Sequence, residues 1–192
     1  MISMSKNEEV EIDEQEGKIN FKNEIFQWIK SLVISVIIIA LIFTFVGRVL
    51  SVKGSSMVPT FHEGDRIITT NLHGDLKYGD VVVIKRKNDT PLIKRIIAVG
   101  GDTVDINIIT GEVKVNNKVL EEPYINEMTH ENHGVQYPVT VPEGHYFVMG
   151  DNRNYSDDSR NPKIGMIDKK NIFGKVIFRL FPFNKMGTIK FK

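Results

Sequence analysis

The 192-residue sequence contains no cysteine, and that one absence removes disulfide scaffolds, thiolate zinc sites and cysteine nucleophiles together. It leaves the compartment open, since exported bacterial proteins also do without cysteine. Any nucleophile here must be an oxygen or an amine. An excess of charge is missing as well: 25 Lys and Arg face 24 Asp and Glu, a formal net charge of +1. A nucleic-acid binder would carry a basic surplus, so that class is disfavoured. The chain is too short for two full catalytic domains. After Arg48 no run of ten residues has helical periodicity, and neither an internal repeat nor a low-complexity tract appears beyond an acidic N-terminal stretch.

What is present falls into three segments. The first thirty residues carry Lys6, Lys18, Lys22 and Lys30 against Glu8, Glu9, Glu11, Asp13, Glu14, Glu16 and Glu24, with few apolar residues before Phe21. That composition reads as a disordered tail. From Ser31 to Gly47 no charge occurs, and as a helix this run would span about 26 Å, slightly short of a ~30 Å hydrocarbon core. Trp28 and Ile29 before it and Val49 and Leu50 after it extend the span, with Lys30 and Arg48 reaching the headgroups. A cleaved signal peptide competes with this reading, but the leader is long and no small-x-small pair follows the apolar run before Arg48. Lys18, Lys22 and Lys30 on one side nearly balance Arg48 and Lys53 on the other, so charge alone does not set the orientation. The expected organisation is an acidic tail over 1–27, a transmembrane helix over 28–50 and a working domain over 51–192.

The working domain has short apolar runs rich in Val, Ile and Phe: Arg66 to Thr70, Val81 to Lys85, Leu92 to Val99, Thr103 to Ile109, Glu112 to Val115, His145 to Met149 and Lys175 to Phe181. Turn residues such as Gly79-Asp80, Thr110-Gly111 and Asn116-Asn117 separate them. Runs of this length predict a mainly β fold, an antiparallel β domain behind one membrane helix.

Three clusters bear chemistry. Gly54-Ser55-Ser56-Met57-Val58-Pro59-Thr60 follows the apolar span closely in a turn-rich stretch. Lys94 and Arg95 interrupt an apolar strand, and alternation sends one of them toward packed apolar surface. A buried lysine is destabilised in its charged form, so a neutral amine becomes available as a base and can activate a serine without histidine or metal. The bland alternative is an exposed strand lysine and a loop serine. The third cluster, Gly150 to Arg160, follows the strand HYFVM and is dense in groups able to scaffold such a lysine. As a calcium loop it fails, because Arg153 and Tyr155 occupy ligand positions.

Taken together, Ser56-Met57-Val58-Pro59-Thr60, Gly79-Asp80-Val81-Val82-Val83, Lys94-Arg95-Ile96-Ile97 and Gly150-Asp151-Asn152-Arg153 through Ser156-Asp157-Asp158-Ser159-Arg160 lie in this order behind an N-terminal anchor. From Phe26 onward the chain resembles bacterial type I signal peptidases, and the single anchor and small domain look like the Gram-positive type. The resemblance implies a membrane-bound serine endopeptidase that removes signal peptides from exported preproteins, cutting after small-x-small residues through an acyl-enzyme. It implies Ser56, not Ser55, as nucleophile and Lys94 as general base. Ser156 would hydrogen-bond the lysine amine, and Asp158 and Arg160 would pair behind it. Met57, Val83, Leu92 and Ile93 would line shallow pockets for the small side chains one and three residues before the cut. It further implies no metal or organic cofactor; preproteins, the bilayer and the secretion machinery as partners; and a plasma-membrane location with the tail cytoplasmic and the catalytic domain outside. One departure is Gly54, where some relatives carry a serine that joins the oxyanion hole. Another is Gly100, where relatives often have proline.

His130 and His133 suggest a metal, but two histidines in a polar loop lack a third ligand. The glycines near Ser56 lack the end of a phosphate loop. Two other functions stay open: a different Ser-Lys hydrolase such as a self-cleaving repressor, and a membrane-tethered binding or assembly factor without activity. The membrane anchor and the lack of a DNA-reading helical module oppose the first, and the intact Ser56 and Lys94 oppose the second.

Overall fold

The computed structural model describes residues 21–40, 47–71, 74–86 and 90–189. The acidic tail expected over 1–27 therefore lies outside the described residues as far as residue 20. Helix α1, Phe21–Ala40, is long and apolar enough to cross a membrane. It begins seven residues earlier than the expected span, taking Phe21 to Gln27 from the tail into the helix. Its one described serine bond is local: Ser35 Oγ donates to the Ser31 carbonyl at 2.8 Å, which satisfies the hydroxyl inside the helix itself.

The second unit is mainly β, as the spacing of apolar runs predicts. Its strands are β1 (Arg48–Ser51), β2 (Arg66–Thr70), β3 (Val81–Ile84), β4 (Leu92–Val99), β5 (Thr103–Asn107), β6 (Glu112–Val115), β7 (Lys118–Val119), β8 (Val139–Thr140), β9 (His145–Met149), β10 (Ile167–Asp168), β11 (Ile172–Phe181) and β12 (Gly187–Thr188). An eight-stranded antiparallel sheet runs β1-β2-β11-β3-β4-β9-β10 with β12 beside β11, and a four-stranded sheet runs β7-β6-β5-β8. The β6–β7 hairpin turns on Asn116 and Asn117, both at positive φ, the conformation a two-residue hairpin loop demands and asparagine tolerates.

Several boundaries differ from the sequence reading, among them β3, which ends at Ile84, and β5, which ends at Asn107. The membrane helix was expected to continue through Val49 and Leu50, yet Arg48 to Ser51 pair with Thr69 to Arg66 as strand β1. Gly47, at φ +124, cannot continue a right-handed helix, and Leu50 and Val52 then pack with Met57, Phe61 and Ile67. Hydropathy is silent on whether Leu50 enters lipid or a protein core, and Val49 stays exposed. Strand β11 starts at Ile172, not Lys175, running through Gly174. A Cβ at that position would come 2.9 Å from the Thr70 carbonyl oxygen, so glycine here permits close strand approach.

The expectation that one of Lys94 and Arg95 faces packed surface understates the result. Both are 2% exposed. Strand β4 is covered on both faces and pairs with β3 so that Val82 lies opposite Lys94 and Val81 opposite Arg95, and each cation has its own set of partners.

Candidate active site

Ser56 sits in the turn that follows β1. Met57 and Phe61, 1% and 0% exposed, pin this turn to the core, and Phe61 N–H donates to the Met57 carbonyl at 2.8 Å. From the far side Asn152 holds the same segment: its backbone N–H donates to the Ser56 carbonyl at 3.0 Å and its Nδ2 to the Ser55 carbonyl at 3.2 Å. Among the described residues no acceptor takes the Ser56 N–H.

Lys94 Nζ donates to Ser56 Oγ at 2.7 Å. Burial pushes the Lys94 pKa down from 10.5 to about 8, against the pull of Asp158, Asp157 and Asp151 toward the charged form. An amine that ionises there is partly neutral near physiological pH, and once deprotonated it accepts the Ser56 proton along the same contact.

Behind the pair lies a closed polar scaffold. Ser156, Asp158 and Arg160 are all buried. Arg160 Nε and Nη2 each donate to Asp158 at 2.8 Å, and Arg160 Nη2 also reaches the Arg153 carbonyl at 2.6 Å. Burial pushes the Asp158 carboxyl up, but the Arg160 guanidinium, the Ser156 hydroxyl and the Gly150 N–H outweigh it and hold the group below the usual carboxylate range. The expected ion pair is present. The expected Ser156 bond to Lys94 is not: Ser156 Oγ donates to Asp158 Oδ2 at 2.7 Å, while Lys94 Nζ donates to Ser56 Oγ.

Met57, Val83, Leu92 and Ile93 line one cleft of about 280 Å³ together with Ser56. Leu50 to Gly54 form its opposite wall. Gly54 itself, at φ +78, has open space where a side chain would project.

Several residues have no role assigned to them by the sequence reading. Arg95 holds Asp151 through Nε at 2.8 Å and Nη2 at 2.6 Å, and its guanidinium lies 4.0 Å from the Tyr124 ring centroid. Arg153, fully buried, holds Glu122 through Nη1 at 2.7 Å and Nη2 at 2.5 Å and the Gly150 carbonyl through Nε at 3.2 Å. Glu122 is 31 residues from Arg153 in sequence, and the loop that carries it has no periodicity to flag it. Asn152 stands inside the quoted motif, but only the fold reveals what it holds. Among the described residues no group of three or more His, Asp or Glu side chains is gathered as a metal site would require.

Comparison with known proteins places this geometry in context. Residues 25–181 match the family model described as signal peptidase, peptidase S26. The chain is 40% identical over 183 residues to a signal peptidase I from Bacillus licheniformis, covering 90% of this chain and 97% of that protein. It is 41% identical over 179 residues to signal peptidase I T from Bacillus subtilis, covering 88% and 91%. A crystal structure of a signal peptidase I from Enterococcus faecalis aligns with 53% of this chain and 97% of its own at 29% identity, with a TM-score of 0.44.

Proposed function

The chain belongs to the signal peptidase family, peptidase S26, and is a peptidase; from that membership we propose that it removes signal peptides from preproteins with Ser56 as nucleophile and Lys94 as general base. The observation that carries the assignment is the 2.7 Å contact between Lys94 Nζ and Ser56 Oγ, made by a lysine whose burial lowers its pKa to about 8.

In the acylation step Ser56 Oγ attacks the scissile carbonyl carbon while its proton passes to neutral Lys94 Nζ. The oxyanion meets the Ser56 N–H. The C–N bond then breaks and the lysine ammonium returns the proton to the departing amine. In deacylation water gives a proton to Lys94 Nζ as its oxygen bonds the acyl carbon, the ester bond to Oγ breaks and Oγ recovers the proton. Asp158 and Arg160 fix the position of Ser156 and Gly150 beside the lysine, a positioning role. The substrate lies extended in the cleft of Met57, Val83, Leu92 and Ile93, which admits small side chains one and three residues before the bond. Helix α1 holds the enzyme in the membrane as a single span, with the tail inside, the catalytic domain outside, and lipid and the secretion machinery as neighbours.

The test is cleavage of a preprotein by the detergent-solubilised full chain, with the new N-terminus sequenced. Wild type and Ser55→Ala are expected to cut after a small-x-small triplet, and Ser56→Ala and Lys94→Ala are expected to be inactive. Cutting by Ser56→Ala overturns the assignment, and a wild type that binds preproteins without cutting them points to a binding role.

A further inference from the structure

Asn152 grips both peptide units that flank the Ser56 Cα. Its backbone N–H donates to the Ser56 carbonyl at 3.0 Å, and its Nδ2 donates to the Ser55 carbonyl at 3.2 Å. The second bond bears on the oxyanion. The Ser55–Ser56 peptide is trans, so the Ser55 C=O and the Ser56 N–H lie in one rigid plane and point in opposite directions. Whatever holds that carbonyl aims that N–H. Ser56 lines the cleft beside Lys94, whereas neither Ser55 nor Asn152 does, so Asn152 works from behind the plane.

The Ser55 carbonyl also accepts the Val58 N–H at 3.1 Å. That bond closes the serine turn but moves with it, while Asn152 ties the turn to a separate segment. The segment is stiff. Asp151 before Asn152 and Arg153 after it are held in buried ion pairs with Arg95 and Glu122, and the Asn152 carbonyl accepts the Tyr155 N–H at 3.0 Å. Asn152 Oδ1 is buried without a partner among the described residues, so the side chain is committed to Ser55 through Nδ2.

We propose that the Asn152 side chain is a positioning residue for the oxyanion donor: through the Ser55 carbonyl it fixes and polarises the Ser56 N–H, which meets the charge developing on the scissile carbonyl oxygen. The inference rests on the peptidase reading given above. It adds to that site a group whose effect is felt in the transition state, where the charge appears, and not in the binding of substrate. Asparagine is neutral, so removing its amide leaves the charges around Lys94 as they are.

The experiment compares the detergent-solubilised full chain with Asn152→Leu, which keeps the backbone N–H and much of the volume but has no side-chain donor, and with Asn152→Ala as a second variant. On a preprotein, kcat is expected to fall about ten- to a hundredfold with KM within about threefold, because a lost oxyanion donor costs about a hundred- to a thousandfold and this one is loosened, not lost. The acid limb of the pH profile is expected to stay where it is in the wild type. A peptide aldehyde ending in the small-x-small triplet probes the same donor: Ser56 Oγ adds to the aldehyde carbon, the serine proton passes to Lys94 Nζ and the aldehyde oxygen becomes the oxyanion. Its inhibition constant is expected to rise by the factor by which kcat/KM falls, whereas that of the matching alcohol, which forms no adduct, is expected to stay unchanged.

A kcat/KM within about threefold of wild type in both variants, an equal weakening of aldehyde and alcohol, or a displaced acid limb overturns the proposal. If thermal unfolding shows that neither variant folds, Asn152 holds the domain and not the donor, and the proposal falls. A wild type that cuts no preprotein, or a Ser56→Ala variant that does, marks instead the failure of the peptidase reading and takes the proposal with it.

Discussion

A β-carbon on Gly150 would lie 2.2 Å from Ser156 Oγ and 2.5 Å from the Ser56 carbonyl oxygen. The absence of a side chain at Gly150 is therefore what lets the serine turn and the polar scaffold close on the same point. Gly150→Ala is expected to displace both and reduce kcat/KM by at least about a hundredfold, since an ångström of misplacement carries penalties of that size. A preprotein cleavage assay checks it, and a variant within threefold of wild type contradicts it.

With Lys94 as the proposed base, the pH dependence of kcat/KM should show an acid limb near pH 8, because its neutral form grows as pH rises through about 8. Asp157 favours the charged form of that lysine. Asp157→Asn is thus expected to move the limb to lower pH and raise activity on its acid side. A limb that stays in place or moves upward counts against the assignment of the base.

Stability should rise with pH across the Lys94 window, the same sense as for a carboxylate whose pKa folding lowers, but at alkaline pH. The Lys94 pKa falls from 10.5 unfolded to about 8 folded, so between those values the unfolded chain holds a proton that the folded chain lacks. Unfolding free energy therefore rises with pH across that window, and below pH 8 the folded wild type carries the full cost, about 3 kcal/mol. Lys94→Met is expected to be more stable than wild type at pH 6, with a gap that narrows toward pH 10.5. Thermal unfolding in detergent at several pH values measures it, and a pH-independent gap contradicts it.

Glu122→Gln removes the charge that compensates Arg153, whose side chain is 0% exposed. The variant is expected to lose about 3–5 kcal/mol, the cost of stranding one partner of a buried pair. Activity is expected to fall with it, because Arg153 Nε also holds the Gly150 carbonyl. Denaturant unfolding checks the stability, and a loss below about 1 kcal/mol counts against this role for Glu122.

The parts legible in the sequence were those written in consecutive residues. Val81 to Ile84 and Leu92 to Val99 announce strands by composition, and Lys94 stands out because a charge inside such a strand needs a reason. Leu50 misled because lipid and a protein core reward the same side chain, and Val49 because an apolar residue in strand β1 stays exposed. The direction of the Ser156 hydroxyl depends on where Asp158 sits, two residues on but folded back by Arg160, and no pattern of residue types encodes that. Glu122, Tyr124 and Asn152 were illegible for a related reason. Each acts on a partner dozens of residues away, through a loop or a turn whose course is set by packing.

Lys94 and Arg95 are neighbours in one strand, both buried, each committed to different partners. Only one of them is able to give up its proton in the pH range of life, since a guanidinium stays protonated. A slip of β4 by a single residue would bring Arg95 to the place of Lys94 and set a permanently charged group against Ser56 Oγ. The alignment of β4 with β3 thus acts as a digital setting: one register yields a working base, and the adjacent one yields a folded chain with its serine silenced. Insertions or deletions in the connection between β3 and β4 are then expected to change catalysis.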